Sequence, residues 1–259
     1  MRRRVMDSLL GLVAVWSVLR RLGLRWGATH DEVHRTLPGD HLLPHPMLET
    51  THAISIAAPR SAVWPWLVQM GFHRAGWYTD SWYSLVDRYL FRIDRPASAD
   101  RVLPPLQHLE VGDTVPDDPK GKTYFTVAVL EPERALVLYS TTHVTGIVPR
   151  TLRDDPKLGF HGEFSWAFIL EDATRDSTRL ILRSRANGAP RLFAAFNSLF
   201  LPPADFLIVR LMLKTVKQRV EQESHPTLSP KDTSSPRPKR STEPNGETLP
   251  TDTGPLMPQ

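Results

Sequence analysis

The stretch from Thr50 to Tyr83, TTHAISIAAPRSAVWPWLVQMGFHRAGWYTDSWY, constrains the fold more than any other part of the chain. His52-Ala53-Ile54-Ser55-Ile56 alternates as a strand with one buried face does. Ala57-Ala58-Pro59 turns the chain, and Pro59 suits a helix start, where its missing N–H costs nothing. Val63, Trp64, Trp66, Leu67 and Met70 then give a short apolar helical face, bent by Pro65 inside it. Gly71 and Gly76 close the unit, and Trp77, Tyr78, Trp82 and Tyr83 follow. Four of the seven tryptophans fall in this one unit. So many rings beside a first strand make either a core or the wall of a cavity.

The elements after it follow from periodicity. Asp80–Arg92 reads as a second short helix, and 93–108 as a proline-rich loop. From Leu109 the pattern has period two. Residues 110–116 form a short strand with a turn or bulge at Gly112-Asp113. Tyr124–Leu130 and Leu136–Thr142 pair through a hairpin at Glu131-Pro132-Glu133-Arg134, and a long loop spans 143–160. Gly162–Glu171 and Thr178–Ala186 form the next hairpin, with Phe164, Trp166 and Phe168 on one face. A helix from Pro202-Pro203 to about Glu223 carries Phe206, Val209, Leu213, Val216 and Val220 as one stripe, which must bury against the concave side of the sheet. Residues 225–259 hold eight prolines among Ser, Thr and charge, too little apolar surface to offset ordering, and read as a disordered tail.

The net charge of +4 belongs to one end of the chain. Residues 1–26 carry six arginines and one Asp, the tail is balanced, and the body from 27 to 224 has a net charge of −1. The main domain therefore offers no phosphate-binding surface, and no nucleic-acid partner is expected. Glycine-rich nucleotide loops are absent, and with no cysteine there are no disulfides or thiolate sites. The arm, MRRRVMDSLLGLVAVWSVLRRLGLRWG, has four readings. It is short for a spanning helix and lacks a clear cleavage site for a signal peptide. It fits an interfacial helix, with Leu9, Leu10, Val13, Trp16, Val18 and Leu19 in lipid and arginines at anionic headgroups, or else a soluble helix packed on the domain. The expected location is cytoplasmic, with the interfacial reading placing the chain at the inner face of the membrane. His30 and His34 stand four residues apart, but Thr29-x-x-Glu32 is a capping box, which explains the same residues without a metal. Residues 27–49 read as a lead-in running along the domain surface.

The order strand, two short helices, antiparallel strands, long C-terminal helix resembles the helix-grip fold of the START-like (SRPBCC) superfamily. Within it the chain is similar to polyketide cyclase/dehydrase-like bacterial proteins. The match is carried by RWGAT at Arg25–Thr29, LPGD at Leu37–Asp40, the run Thr50–Gly71 and RAGWYTDSW at Arg74–Trp82. VGD at Val111–Asp113, WAF at Trp166–Phe168 and TRLILRSR at Thr178–Arg185 complete it, covering about residues 25–223. The resemblance implies an α+β domain over 50–224, a curved antiparallel sheet wrapped around a long C-terminal helix and enclosing a cavity for an apolar or amphipathic molecule. Fold alone does not settle function.

Trp66, Tyr78, Trp82, Phe125, Tyr139 and Trp166 are the rings to face such a cavity, although each is more often plain core. Gln69 and Arg183 are its polar candidates, although Arg183 alternates with Arg185 on one strand face and could be solvated at the rim. No spacing ties His143, His161 and Glu163 to a base or nucleophile, so no catalytic residue, metal or cofactor is assigned. Three functions stay open: a binder or carrier of a hydrophobic small molecule or lipid, a cyclase or dehydratase acting on a polyketide-like substrate, and an interaction module with a filled core.

Overall fold

The alternating segments become a six-stranded antiparallel sheet, and the apolar stripe at the C-terminus becomes the helix that packs against its concave face. The computed structural model describes residues 2–79, 97–143, 155 and 157–224. The expected helix at 80–92 with Trp82, most of the loop 143–160 and the tail from 225 lie outside them. The elements are α1 (Arg2–Arg25), α2 (His30–His34), β1 (Leu48–Ile56), α3 (Arg60–Val68), β2 (Thr114–Pro116), β3 (Tyr124–Glu131), β4 (Ala135–Ser140), β5 (His161–Thr174), β6 (Ser177–Ala189) and α4 (Arg191–Ser224). The sheet runs β1-β6-β5-β4-β3-β2. All neighbours are antiparallel, so β1, first in the chain, pairs with β6, last of the strands. With α4 against one face, this is a helix-grip arrangement.

Strand parity sorts the side chains into two cores. Toward α4 point Ile56, Leu138, Phe168, Leu180 and Leu182, packed with Val209, Met212, Leu213, Val216 and Val220 of the helix. Toward the other face point Ala53, Val137, Ala167, Ile169 and Ile181. These are covered by the lead-in between α1 and β1, through Leu37 and Leu42. Gly39 fits there because its φ is 89° and a Cβ would lie 2.7 Å from Val137. The lead-in thus seals the sheet's second face.

Two boundaries follow local chemistry, and one departs from it. Thr29 caps α2 with the reciprocal Glu32 bonds expected of a capping box. Pro59 is the N-cap of α3, and Pro65 lies inside that helix. The long helix, however, begins at Arg191, ahead of Pro202-Pro203, so these prolines stand within α4. Proline marks a first turn only as a preference, and here the helix continues through it. Helix α1 is joined to the domain at its C-terminal end. The His52 ring bonds the Gly23 carbonyl at 2.9 Å, and Ala53 N–H donates to the Trp26 carbonyl at 3.1 Å. Trp26 packs edge-on to Phe206 and lies under the Arg210 guanidinium.

Candidate functional site

The concave face has two ends of different character. Near the C-terminus of α4, Trp66, Gln69 and Tyr78 form a closed polar plug. All three are fully buried. Trp66 donates its indole N–H to Glu223, and Tyr78 donates its hydroxyl to the Trp66 carbonyl at 3.0 Å. Gln69 donates to the Tyr78 hydroxyl and the Arg101 carbonyl, and accepts from the Leu103 N–H at 2.8 Å. Every arm of the amide is used. Tyr78 has a φ of 58°, a left-handed conformation costing about 1–2 kcal/mol, held by these bonds and by the Arg219 guanidinium 5.0 Å above its ring. This end is a fastening between α3, the segment 97–107 and α4.

The other end lies toward the C-terminal end of β6, which runs directly into α4. Here Phe125 of β3 stacks on Trp166 of β5, with centroids 5.4 Å apart and planes 17° from parallel. Trp77 and Phe164 meet the same pair edge-on or tilted. Next to these rings is a row of polar atoms. Thr50 pairs with Ser184 across β1–β6, and Ser184 with Trp166 across β6–β5. The Thr50 Oγ1, Ser184 Oγ and Trp166 Nε1 atoms are all buried with no hydrogen-bond partner among the described residues. The indole N–H of Trp77 shares that condition. Each such group costs roughly 1–3 kcal/mol when buried unpaired. Strand parity places Ser184 with Leu180 and Leu182, so this row was open to sequence reasoning, which overlooked it.

His143 lies against the outer side of the ring stack, 4.1 Å from Phe125 by centroids. Its Nδ1 is 2.7 Å from Ser140 Oγ at the end of β4, and its Nε2 is 2.9 Å from Asp117 Oδ2 just past β2. The β2–β3–β4 pairing brings Asp117 to His143, a closeness no sequence spacing announces.

Arg183 and Tyr139 occupy the opposite face of the sheet from α4. Arg183, 2% exposed, donates to Asp40 Oδ2 at 2.7 Å, to Thr51 Oγ1 and to the carbonyls of Glu32, Val33 and Arg35. Arg185 reaches the same Asp40 carboxylate. Arg183 thus clamps the lead-in to the sheet and is neither inward-facing nor solvated. Tyr139 donates to Glu163, and burial together with that carboxylate raises its pKa to about 12. Trp82 lies outside the described residues. A pocket of about 370 Å³ also opens on the lead-in side, between Arg35, Arg60 and Arg134. Its arginines are each paired, with Glu171, Asp172 and Glu131 respectively, so its charge is already balanced.

No protein-family model matches the chain, and no curated protein does. Among solved structures, a hypothetical protein from Helicobacter pylori is similar over 71% of this chain and 94% of its own, at 12% identity and a TM-score of 0.42. A protein from Arthrobacter aurescens is similar over 68% of this chain and 87% of its own, at 14% identity and a TM-score of 0.40. A Thalictrum norcoclaurine synthase point mutant, in complex with a transition-state analogue, covers 68% and 96% at 12% identity and a TM-score of 0.35. Scores of this size assign no family. The helix-grip arrangement rests on this chain's own sheet and helix.

Proposed function

We propose that the chain is a START-like binder of an amphipathic small molecule or lipid, held between the concave face of the sheet and the first half of α4. The observation that carries this reading is the row Thr50, Ser184 and Trp166 beside the Phe125–Trp166 stack. Ring faces accept flat or chain-like apolar groups, and the row of unpaired donors and acceptors fixes their polar end. The plug at Trp66, Gln69 and Tyr78 closes the opposite end. Ligand uptake removes apolar surface from water, worth ~25 cal/mol per Å² before the costs of association. A fluorescent fatty-acid or polycyclic probe is expected to bind and to change tryptophan emission through Trp77 and Trp166. Ser184→Ala should weaken probes carrying a polar head about tenfold, the loss of one net hydrogen bond, and leave purely apolar probes within twofold. Equal affinity of wild type and variant for both classes, or no uptake of any probe, would sink the reading.

A second reading concerns α1. From Leu10 to Leu22 it exposes Leu10, Leu12, Val13, Val15, Val18, Leu19 and Leu22, between 41% and 66% each. Arginines stand at both ends of this stretch. Among the described residues no helix is long and apolar enough to cross a membrane. We read α1 as lying in an anionic lipid surface, its apolar side in the acyl boundary and its arginines at headgroups. The proposed setting is the inner face of the membrane.

A further inference from the structure

Asp117, His143 and Ser140 form a line of hydrogen-bond contacts. An ionised carboxylate only accepts, so the 2.9 Å contact makes His143 Nε2 the protonated nitrogen. With that ring neutral, Nδ1 is an acceptor 2.7 Å from Ser140 Oγ, which also lies 2.9 Å from Thr142 Oγ1. Nucleophile, base and orienting acid thus stand in hydrogen-bond sequence, the geometry by which an activated serine is recognised on any fold. Two further details favour the same end. The Thr142 backbone N–H donates to Ser140 Oγ at 3.0 Å, which stabilises negative charge on that oxygen as its proton leaves. Ser140 pairs with Phe164 across β4–β5, and the His143 ring lies on Phe125, so the line borders the proposed binding surface. Ser140 is 3% exposed, which shields its hydroxyl from bulk water.

We propose that Ser140, His143 and Asp117 form a hydrolytic site for a carboxylic ester whose apolar portion rests on Phe125, Phe164 and Trp166. Ser140 Oγ attacks the ester carbonyl carbon while its proton passes to His143 Nδ1. The bond to the alcohol oxygen breaks, and the departing alcohol takes that proton, leaving an acyl group on Ser140. A water molecule then gives a proton to Nδ1 and attacks the acyl carbon. The acyl–Oγ bond breaks, the carboxylic acid leaves, and Oγ recovers its proton from Nδ1. Asp117 is a positioning residue, holding the imidazole in the tautomer that leaves Nδ1 free to accept. This inference rests on the binding reading, because the concave face must admit the ester.

The test is labelling of the full-length protein with a fluorophosphonate serine probe, located by peptide mass spectrometry, alongside hydrolysis of p-nitrophenyl butyrate. Label on Ser140 is expected. It should fall about a hundredfold or more in His143→Gln, a change that keeps hydrogen-bonding capacity but removes the base, with the melting temperature retained. Asp117→Asn should lower labelling and hydrolysis together, and Asp117→Glu should restore part of both, which a purely structural bond would not require. Ser140→Ala should abolish hydrolysis while still taking up the fluorescent fatty-acid probe. Label only on other serines, or undiminished labelling in His143→Gln, would overturn the proposal. Absent label with intact fatty-acid uptake would sink the hydrolytic site alone, and absent label with absent uptake would sink the binding reading as well.

Discussion

Arg183 shows how far one side chain's role depends on what covers its strand. By sequence it is a cation in an apolar strand, a natural partner for an anionic ligand. In the fold it is the centre of a buried cluster with Asp40, Arg185 and three backbone carbonyls. Removing one member of such a cluster leaves the rest unpaired, which costs about 3–5 kcal/mol. Arg183→Leu is therefore expected to lower the unfolding free energy by that amount in urea titration. Below its unfolding transition it should bind anionic and neutral probes as wild type does. A selective loss for anionic probes would place the guanidinium on the ligand side after all. Gln69 has the same lesson at the other end of the domain. It is buried, polar and aimed inward, yet its amide is spent on Tyr78, Arg101, Leu103 and Gln107.

Among the elements, α1 and α4 divide their surfaces in opposite ways. The stripe on α4 is consumed by the sheet, with Val209, Met212, Leu213, Val216 and Val220 all buried. On α1, Gly23 is buried and Trp16, Arg20 and Leu24 are half-buried, while the leucines and valines from Leu10 to Leu22 remain exposed. Deleting the arm would also remove the Gly23 and Trp26 carbonyls that serve β1, so truncation confounds docking with folding. Replacing Leu12 and Val15 with glutamate avoids this, since both side chains are exposed. The double variant should melt as wild type does and lose sedimentation with phosphatidylserine-containing vesicles. Wild-type binding should itself weaken as salt is raised, because headgroup attraction is screened beyond ~10 Å at 0.1 M. Equal sedimentation of variant and wild type would exclude α1 as the docking element.

For the molecule as a whole, stability should carry a mark of the join between α1 and the sheet. Burial lowers the His52 pKa from 6.5 to about 4, opposed by its bond to the Gly23 carbonyl. The folded protein therefore holds His52 neutral where the unfolded chain would protonate it. Stability is full above pH 6.5 and is lost as the pH falls toward 4, by on the order of 3 kcal/mol. His52→Gln should flatten the fall in melting temperature between pH 6.5 and 4.5, and an unchanged profile would show that His52 does not titrate with folding. The strands, the capping box at Thr29, the prolines of α3 and the orientation of Phe164, Trp166 and Phe168 were all legible in the sequence, because each depends on neighbours a few residues away. Local pattern determined which side chains share a face. It could not determine what lies over that face. That Arg183 meets Asp40 across 143 residues, that Gln69 is spent within a plug, and that Asp117 reaches His143 are products of strand order and of the lead-in folding back over the sheet. Such contacts join segments distant in sequence, and their partners are chosen only when the sheet closes and the whole chain buries its apolar faces together.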